Sequence, residues 1–157
     1  MPRNGLRVGR SRTGLGLFAV KPIRKRTIIA EYKGRRIRNE EADALEARGA
    51  KYMFELNSRW TVEGAGRHNL ARYANHSCRP NAESDVLTGA RSGGRKGGKV
   101  ILRAIKNIKP GDEIAYDYGR VYFNAYLKPK GCKCAKCSER RHAERKSKRR
   151  TARRRSA

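Results

Sequence analysis

At 157 residues the chain suits one domain with a modest core, and its apolar fraction of 37% permits a globular fold. No run approaches the ~20 consecutive apolar residues of a membrane-spanning helix, and the opening Met1-Pro2-Arg3-Asn4-Gly5 has no apolar leader, which predicts an intracellular protein. The formal net charge of +26 favours polyanionic surroundings (DNA, RNA or an acidic protein partner) over a merely solvated surface.

The elements follow in chain order. Leu6-Arg7-Val8 and residues 16–20 read as short strands around a polar turn over 9–14. Gly14 and Gly16 remove two side chains there, which serves either a tight hairpin or close approach of the backbone to a ligand. No long helix follows, which argues against a dinucleotide-binding unit. Residues 27–32 are β-rich and end at a Lys33-Gly34 turn, and Ile37 starts another short strand. Asn39 is placed to cap a helix over 40–48, with Glu40 and Glu41 in its first turn and Gly49 beyond its end. Alternation predicts strands over 52–56 and 60–62 around an Asn57-Ser58 turn.

Residues 69–74 form a short helical turn into Asn75-His76-Ser77-Cys78-Arg79, which Pro80 stops. This run reads as a loop or helix end that presents amide, imidazole and thiol together; an ordinary capped turn is the alternative. A Gly-rich basic loop over 91–99, expected to be solvent-exposed, separates Val86-Leu87 from Val100-Ile101-Leu102 and offers a contact for substrate or nucleic acid. Pro110-Gly111-Asp112 is a turn from which residues 113–118 leave as a strand. Beyond Cys137 apolar content falls away, predicting disorder or a helix formed only on a partner. Residues 138–157 hold ten Lys or Arg and two Glu, so +8 of the charge lies there and +18 elsewhere. The pattern as a whole is mostly β with short helices.

Cys132, Cys134 and Cys137 fall within six residues. That spacing suits a metal site better than a disulfide framework, with redox pairing or free thiols as alternatives. Tetrahedral zinc takes four ligands, and the chain's other cysteine is Cys78.

Three segments carry a resemblance: Gly14-Leu15-Gly16-Leu17-Phe18-Ala19, the run from Arg72 to Asn81, and Gly111-Asp112-Glu113-Ile114-Ala115-Tyr116-Asp117-Tyr118-Gly119. In this order they resemble the SET-domain protein lysine methyltransferases, and the Cys132–Cys137 cluster resembles the post-SET zinc-binding segment of that family. The resemblance covers residues 5–138. It implies a SET-domain fold of small curved sheets around a knot-like core, in which the two signature motifs meet. It divides the chain into a SET domain over 5–120, a post-SET zinc-binding segment over 121–138 and a basic tail over 139–157. The implied cofactors are S-adenosyl-L-methionine and one structural zinc ion.

The implied roles can be carried over by position. Gly14, Leu15 and Gly16 match the turn that meets the methionine end of the cofactor. Asn75 and His76 match residues that hold it, the adenine end included, with Tyr73 and Arg72 beside them. Tyr118 resembles the catalytic tyrosine, and Tyr32, Tyr52, Phe54 and Tyr116 match the lysine channel. Tyr116 further implies mono- or dimethylation, and Asp117 between the two tyrosines faces away. Cys78 supplies the fourth zinc ligand beside Cys132, Cys134 and Cys137.

The implied reaction needs alignment and a neutral amine. Deprotonating a free lysine at pH 7 costs roughly 4–5 kcal/mol, which burial beside a cation offsets. An aromatic channel suits that task, although aromatics on strands ordinarily fill cores. The implied partners are a protein with an accessible lysine and, through the basic tail, nucleic acid or nucleoprotein. Histones, DNA-compacting proteins and ribosomal proteins are open as substrates. The location follows as cytoplasm or nucleoid in a prokaryote, nucleus or chromosome in a eukaryote. The alternative is a basic zinc-containing nucleic-acid-binding protein of ribosome or nucleoid without methyltransferase activity. Against it, few aromatics interleave with the basic residues and no reading helix is evident.

Overall fold

The computed structural model describes residues 5–95 and 97–155, with side chains as far as Thr151. The leader reading on residues 1–4, Lys96 of the basic loop, and residues 156–157 of the tail lie outside the described residues. Ten short strands form three small sheets. The expected mostly β architecture is what the chain adopts.

β1 (Leu6–Ser11) and β2 (Gly14–Ala19) make a hairpin whose two-residue turn brings Ser11 opposite Gly14. Gly14 sits at φ +117°, a backbone region open to glycine, so a hairpin accounts for it. β10 (Glu113–Tyr116) pairs antiparallel with β2 on one side and parallel with β7 (Asn75–His76) on the other. Asn75 and His76 are therefore a strand, where the sequence pattern predicts a loop or helix end. Two residues are too few to show a period, and the pairing partner lies 40 residues away in register (Ala115 with Asn75, Tyr116 with His76). Asn81 closes this pairing: its Nδ2 donates to Glu113 O at 2.8 Å and its Oδ1 accepts from Ala115 N–H at 3.0 Å. One side chain thus stands in for a ladder residue.

β3 (Ile28–Glu31), β9 (Lys99–Ala104) and β8 (Ala82–Leu87) form the second sheet, with β9 in the centre. Val100, Ile101 and Leu102 are consecutive and all buried, as a strand covered on both faces requires. Val100 and Leu102 share one core with Leu17, Ile108, Ile114, Tyr32 and Tyr116. β4 (Arg35–Arg38), β6 (Trp60–Glu63) and β5 (Met53–Glu55) make the third sheet, against which α1 (Asn39–Ala47) leans. Asn39 does not cap this helix. Its amide donates to Asn57 O at 2.9 Å and its Oδ1 accepts from Thr61 Oγ1 at 2.9 Å, tying α1 to the β5–β6 turn instead.

The 91–99 loop is also less open than its composition predicts. A 3-10 turn, Gly89–Ser92, buries Ser92, whose hydroxyl donates to Gly89 O at 2.7 Å. After β10 come α2 (Arg120–Tyr122), continued by a π-helical segment Phe123–Leu127, and then α3 (Ala135–Arg155). α3 runs as a helix through the segment for which the sequence predicts disorder or a helix formed only on a partner. Arg, Lys, Ala and Glu are strong helix formers, and no Gly or Pro interrupts them after Gly131. Among the described residues, no helix is long and apolar enough to cross a membrane.

Candidate active site and cysteine cluster

The parallel β7–β10 pair brings the two polar motifs side by side, and a cleft of about 390 Å³ opens along it. Thr13 and Leu15 from the hairpin, Tyr52, Arg67, Arg72, Tyr73, Asn75 and Tyr118 line it. Ligand clefts usually fall in the range of about 300–1,000 Å³. Asn75 is fixed at the mouth: its amide donates to Leu15 O at 3.0 Å and to Glu113 Oε1 at 2.7 Å. Ser11 Oγ donates to the same Glu113 oxygen at 2.7 Å. A Cβ on Gly16 would lie 2.5 Å from that oxygen, so Gly16 makes room for the Glu113 carboxylate. Leu15, 53% exposed, stands free at the rim.

Arg72 lies over the cleft wall with its guanidinium 3.8 Å from the Tyr52 ring centroid and 5.2 Å from that of Tyr73. Its Nη1 donates to Ala65 O, while its Nε is buried with no hydrogen-bond partner. A buried donor on a cation without an acceptor is costly unless a ligand supplies one. Tyr52 reaches this position through a left-handed backbone, φ +67°, which a non-glycine residue adopts at a cost of about 1–2 kcal/mol. Its carbonyl is held from two sides at 2.8 Å, by the Tyr32 hydroxyl and by Gly64 N–H.

Behind the cleft the phenols converge. The Tyr118 hydroxyl donates to Ala74 O at 2.7 Å, which leaves its lone pairs for another partner. Its ring lies 4.8 Å from Tyr116 and 5.2 Å from Tyr122, centroid to centroid. Burial pushes the Tyr118 phenol far above the ordinary tyrosine value, and the neighbouring Tyr116, Tyr122 and Tyr52 add to it. Tyr116 and Tyr32 are raised for the same first reason, with Tyr32 and Tyr118 respectively as the next contributors. Tyr32 and Phe54 pack 5.5 Å apart. Tyr32 also lines a second cleft of about 330 Å³, so the predicted channel residues divide: Tyr52 faces the first cleft beside Tyr118, Tyr32 faces the second, and Phe54 and the buried Tyr116 line neither.

Tyr122, Tyr126 and Phe123 extend this aromatic wall and were not predicted. Tyr122 and Tyr126 stack 4.8 Å apart, and the four-residue spacing of Tyr118, Tyr122 and Tyr126 is the signal that marks them.

His76 does not line the cleft. Its side chain, 5% exposed, accepts from Tyr118 N–H through Nδ1 at 3.2 Å, so the proton sits on Nε2 and points at Cys78 Sγ, 3.3 Å away. Desolvation lowers its pKa, against a smaller opposing pull from Asp117, and keeps the imidazole neutral. Phe123 covers the other side of the ring at 5.4 Å.

Cys78, Cys132, Cys134 and Cys137 converge so that their sulfurs all lie within 4.8 Å of one another. Cys78 Sγ is 3.9 Å from Cys132 Sγ and 3.7 Å from Cys137 Sγ, too long for disulfides. Tetrahedral zinc at ~2.3 Å from each thiolate needs sulfur–sulfur edges of about 3.8 Å, so the donor set fits that ion. Burial raises the Cys78 and Cys132 thiols. Burial also acts to raise Cys134, but backbone hydrogen bonds at Cys78 and Cys137 outweigh it and bring that thiol down to about 7. The cluster can therefore hold a metal ion through all four sulfurs.

A family model for the SET domain matches residues 14–119. Histone-lysine N-methyltransferase 2D of Homo sapiens is 38% identical over 123 residues, which is 74% of this chain and 2% of that protein. Histone-lysine N-methyltransferase set1 of Dictyostelium discoideum is 35% identical over 130 residues, 79% of this chain and 8% of that protein. Among solved structures, a chain of a humanized mutant of the Chaetomium thermophilum Polycomb Repressive Complex 2 superposes with a TM-score of 0.64 at 29% identity. That match covers 73% of this chain and 15% of the other. The chain thus spans a small part of the length of these relatives.

Proposed function

The chain belongs to the SET-domain family, and on that premise we propose that it is a protein-lysine N-methyltransferase that uses S-adenosylmethionine. The observation that carries this reading is Tyr118. Its hydroxyl is anchored on Ala74 O where the open cleft meets the enclosed phenols. The cofactor, when bound, supplies a methyl group on a positively charged sulfur that leaves without further activation. The cleft suits it. Arg72 Nε offers an unused buried donor for a carboxylate, Arg67 adds charge, and Tyr73 and Leu15 give apolar surface. His76 acts from behind, holding the Tyr118 backbone rather than touching the cofactor with its ring.

On the lysine side, the enclosed phenols favour the neutral amine, because burial disfavours an ammonium. No carboxylate base is required, and the Glu113 carboxylate is already engaged by Ser11 and Asn75. Tyr118 keeps its proton and helps align nitrogen with the methyl group. The enclosed Tyr116 limits space for a methylated amine, so mono- and dimethyl-lysine are the expected products. Cys78, Cys132, Cys134 and Cys137 would hold zinc, which would tie the segment after Gly131 to the Cys78 loop as a structural ion.

The substrate class we propose is a basic nucleic-acid-associated protein, histones first, and we propose association with nucleoprotein through the basic C-terminal segment. The relatives above are eukaryotic histone methyltransferases by name, which supports the nuclear or chromosomal branch of the expected location. The nucleic-acid-binding alternative without methyltransferase activity gives no account of the aromatic site. The test is transfer of labelled methyl groups from S-adenosylmethionine to a panel of histones, nucleoid proteins and ribosomal proteins. Labelled lysine in one class supports the reading. No labelling of any class by protein that binds the cofactor contradicts it.

A further inference from the structure

α3 is 21 residues long, about 32 Å at 1.5 Å per residue. Its first two turns are anchored. Cys137 is buried in the cysteine cluster, Ser138 N–H donates to Cys134 O at 2.9 Å, and Glu139 pairs with Arg79 at 2.9 Å. From His142 to Thr151 every side chain is exposed. Residues 142–155 carry eight Lys or Arg, one Glu and no apolar side chain larger than alanine. Arg145 and Arg149, and Lys146 and Arg150, stand four apart and repel one another. Among the described residues, Arg140–Glu144 at 3.7 Å is the one ion pair within the helix. The counter-charge for this arm has to come from outside the protein.

We propose that α3 is a docking arm for duplex DNA that lies in the major groove. This deepens the nucleic-acid association proposed above and does not depend on methyl transfer. An α-helix is about 10–12 Å across, which fits a major groove of ~12 Å and not a minor groove of ~6 Å. The major groove of A-form RNA is too deep and narrow for it. Arg145, Lys146, Lys148 and Arg149 advance by about 100° per residue and so face several sides of the helix. A groove presents phosphates to both flanks of a helix, whereas an acidic protein surface meets a single stripe. Residues 142–155 contain neither Asn nor Gln, the side chains that pair with adenine, so base reading is confined to Arg or Lys on guanine and phosphate contacts carry most of the binding. The arm is rooted through Cys137 in the cluster that touches the active-site loop, so docking would hold the catalytic cleft at a fixed position beside the DNA.

The experiment compares the full zinc-loaded chain with R145Q/K146Q/K148Q/R149Q/R150Q, using fluorescence anisotropy on a duplex of ~20 base pairs, about two helical turns, at rising salt. Glutamine keeps helix propensity, which circular dichroism checks. The slope of log affinity against log salt should flatten by about 4–5, from ~0.9 per lost cation, and affinity should fall by about 10²-fold or more. The wild type should displace methyl green from the major groove and leave netropsin in the minor groove. An unchanged salt slope, displacement of netropsin alone, or equal affinity for single-stranded DNA, duplex RNA or polyglutamate overturns the proposal. Methylation of a free histone peptide, followed in parallel, should be equal in the two forms, because none of the five residues lines either cleft. A variant that loses peptide methylation together with DNA binding also overturns the separate arm. DNA binding by a chain inactive on every peptide supports the arm and counts against the enzymatic reading alone.

Discussion

The β7–β10 wall of the site and the cysteine wall behind it are held by different physics. The β7–β10 wall rests on a shared core in which Leu17 and Ile114 are fully buried, and on backbone pairing completed by Asn81. The cysteine wall, from Gly131 into α3, lines neither cleft and meets the site from behind through Cys78 and His76; it buries little beyond Cys132, Cys134 and Cys137 with Phe123 packed against them. Four thiols take the place of a core there. Packing folds the first wall without help, and the second needs something to neutralise and join its sulfurs. His76 and Tyr118 stand at the joint, because one imidazole touches both the Cys78 sulfur and the Tyr118 backbone.

The largest expected effect comes from breaking the thiol wall alone. Chelation, or Cys134→Ser, should lower methyl transfer by about 10²-fold or more, the scale on which a misplaced site loses rate. Elemental analysis should find one zinc per active chain, and the β-sheet signal in circular dichroism should survive its removal. Activity undiminished in metal-free folded protein would show that the two walls do not differ in this way.

Asn81→Ala probes the packed wall. It strands the Ala115 N–H and the Glu113 carbonyl and should destabilise the fold by about 2–3 kcal/mol, read from denaturant unfolding. The loss should be the same with and without zinc. A loss confined to the zinc-loaded form would place Asn81 with the other wall.

Tyr116→Phe should leave stability nearly unchanged and shift products toward trimethyl-lysine, resolved by mass spectrometry. Mainly trimethyl product from the wild type would remove the assigned role of Tyr116.

The smallest effect is a pH dependence. Burial raises the Tyr118, Tyr116 and Tyr32 phenols above the ordinary tyrosine value of about 10, so they stay neutral in the folded protein where free tyrosine ionises. The contribution of these groups to stability is complete below about pH 10 and is lost as pH rises beyond it, because the unfolded chain releases the protons first. The initial rate should therefore climb with lysine deprotonation up to about pH 10, and any decline should track unfolding. A decline near pH 10 in fully folded protein would mean that a phenol ionises within the site.

Much of this arrangement is legible in the residues. The Gly14 hairpin, the Arg48-Gly49 helix end and the turn before β10 follow from local backbone preferences, and three cysteines within six residues announce a metal site. What local pattern does not carry is long-range pairing. Asn75 and His76 become a strand only because β10 lies beside them, and the His76 ring turns to Cys78 because that strand alternates its faces. Gly16 makes room for the Glu113 carboxylate, a contact across 97 residues that local pattern does not carry. Asn39 has the right type for a cap, yet Asn57 and Thr61 claim both ends of its amide.

In the proposed reaction Tyr118 directs methyl transfer where the two walls meet. The direct measurement is the mass of a histone substrate over time with S-adenosylmethionine, for wild type and Tyr118→Phe, beside the cofactor affinity of each by calorimetry. The predicted result is stepwise methyl addition to lysine by the wild type, a rate lower by about 10²–10³-fold in the variant, and similar cofactor affinity in both. A variant as fast as wild type, or a wild type that binds the cofactor and adds no methyl group to any histone or other basic protein, would contradict it.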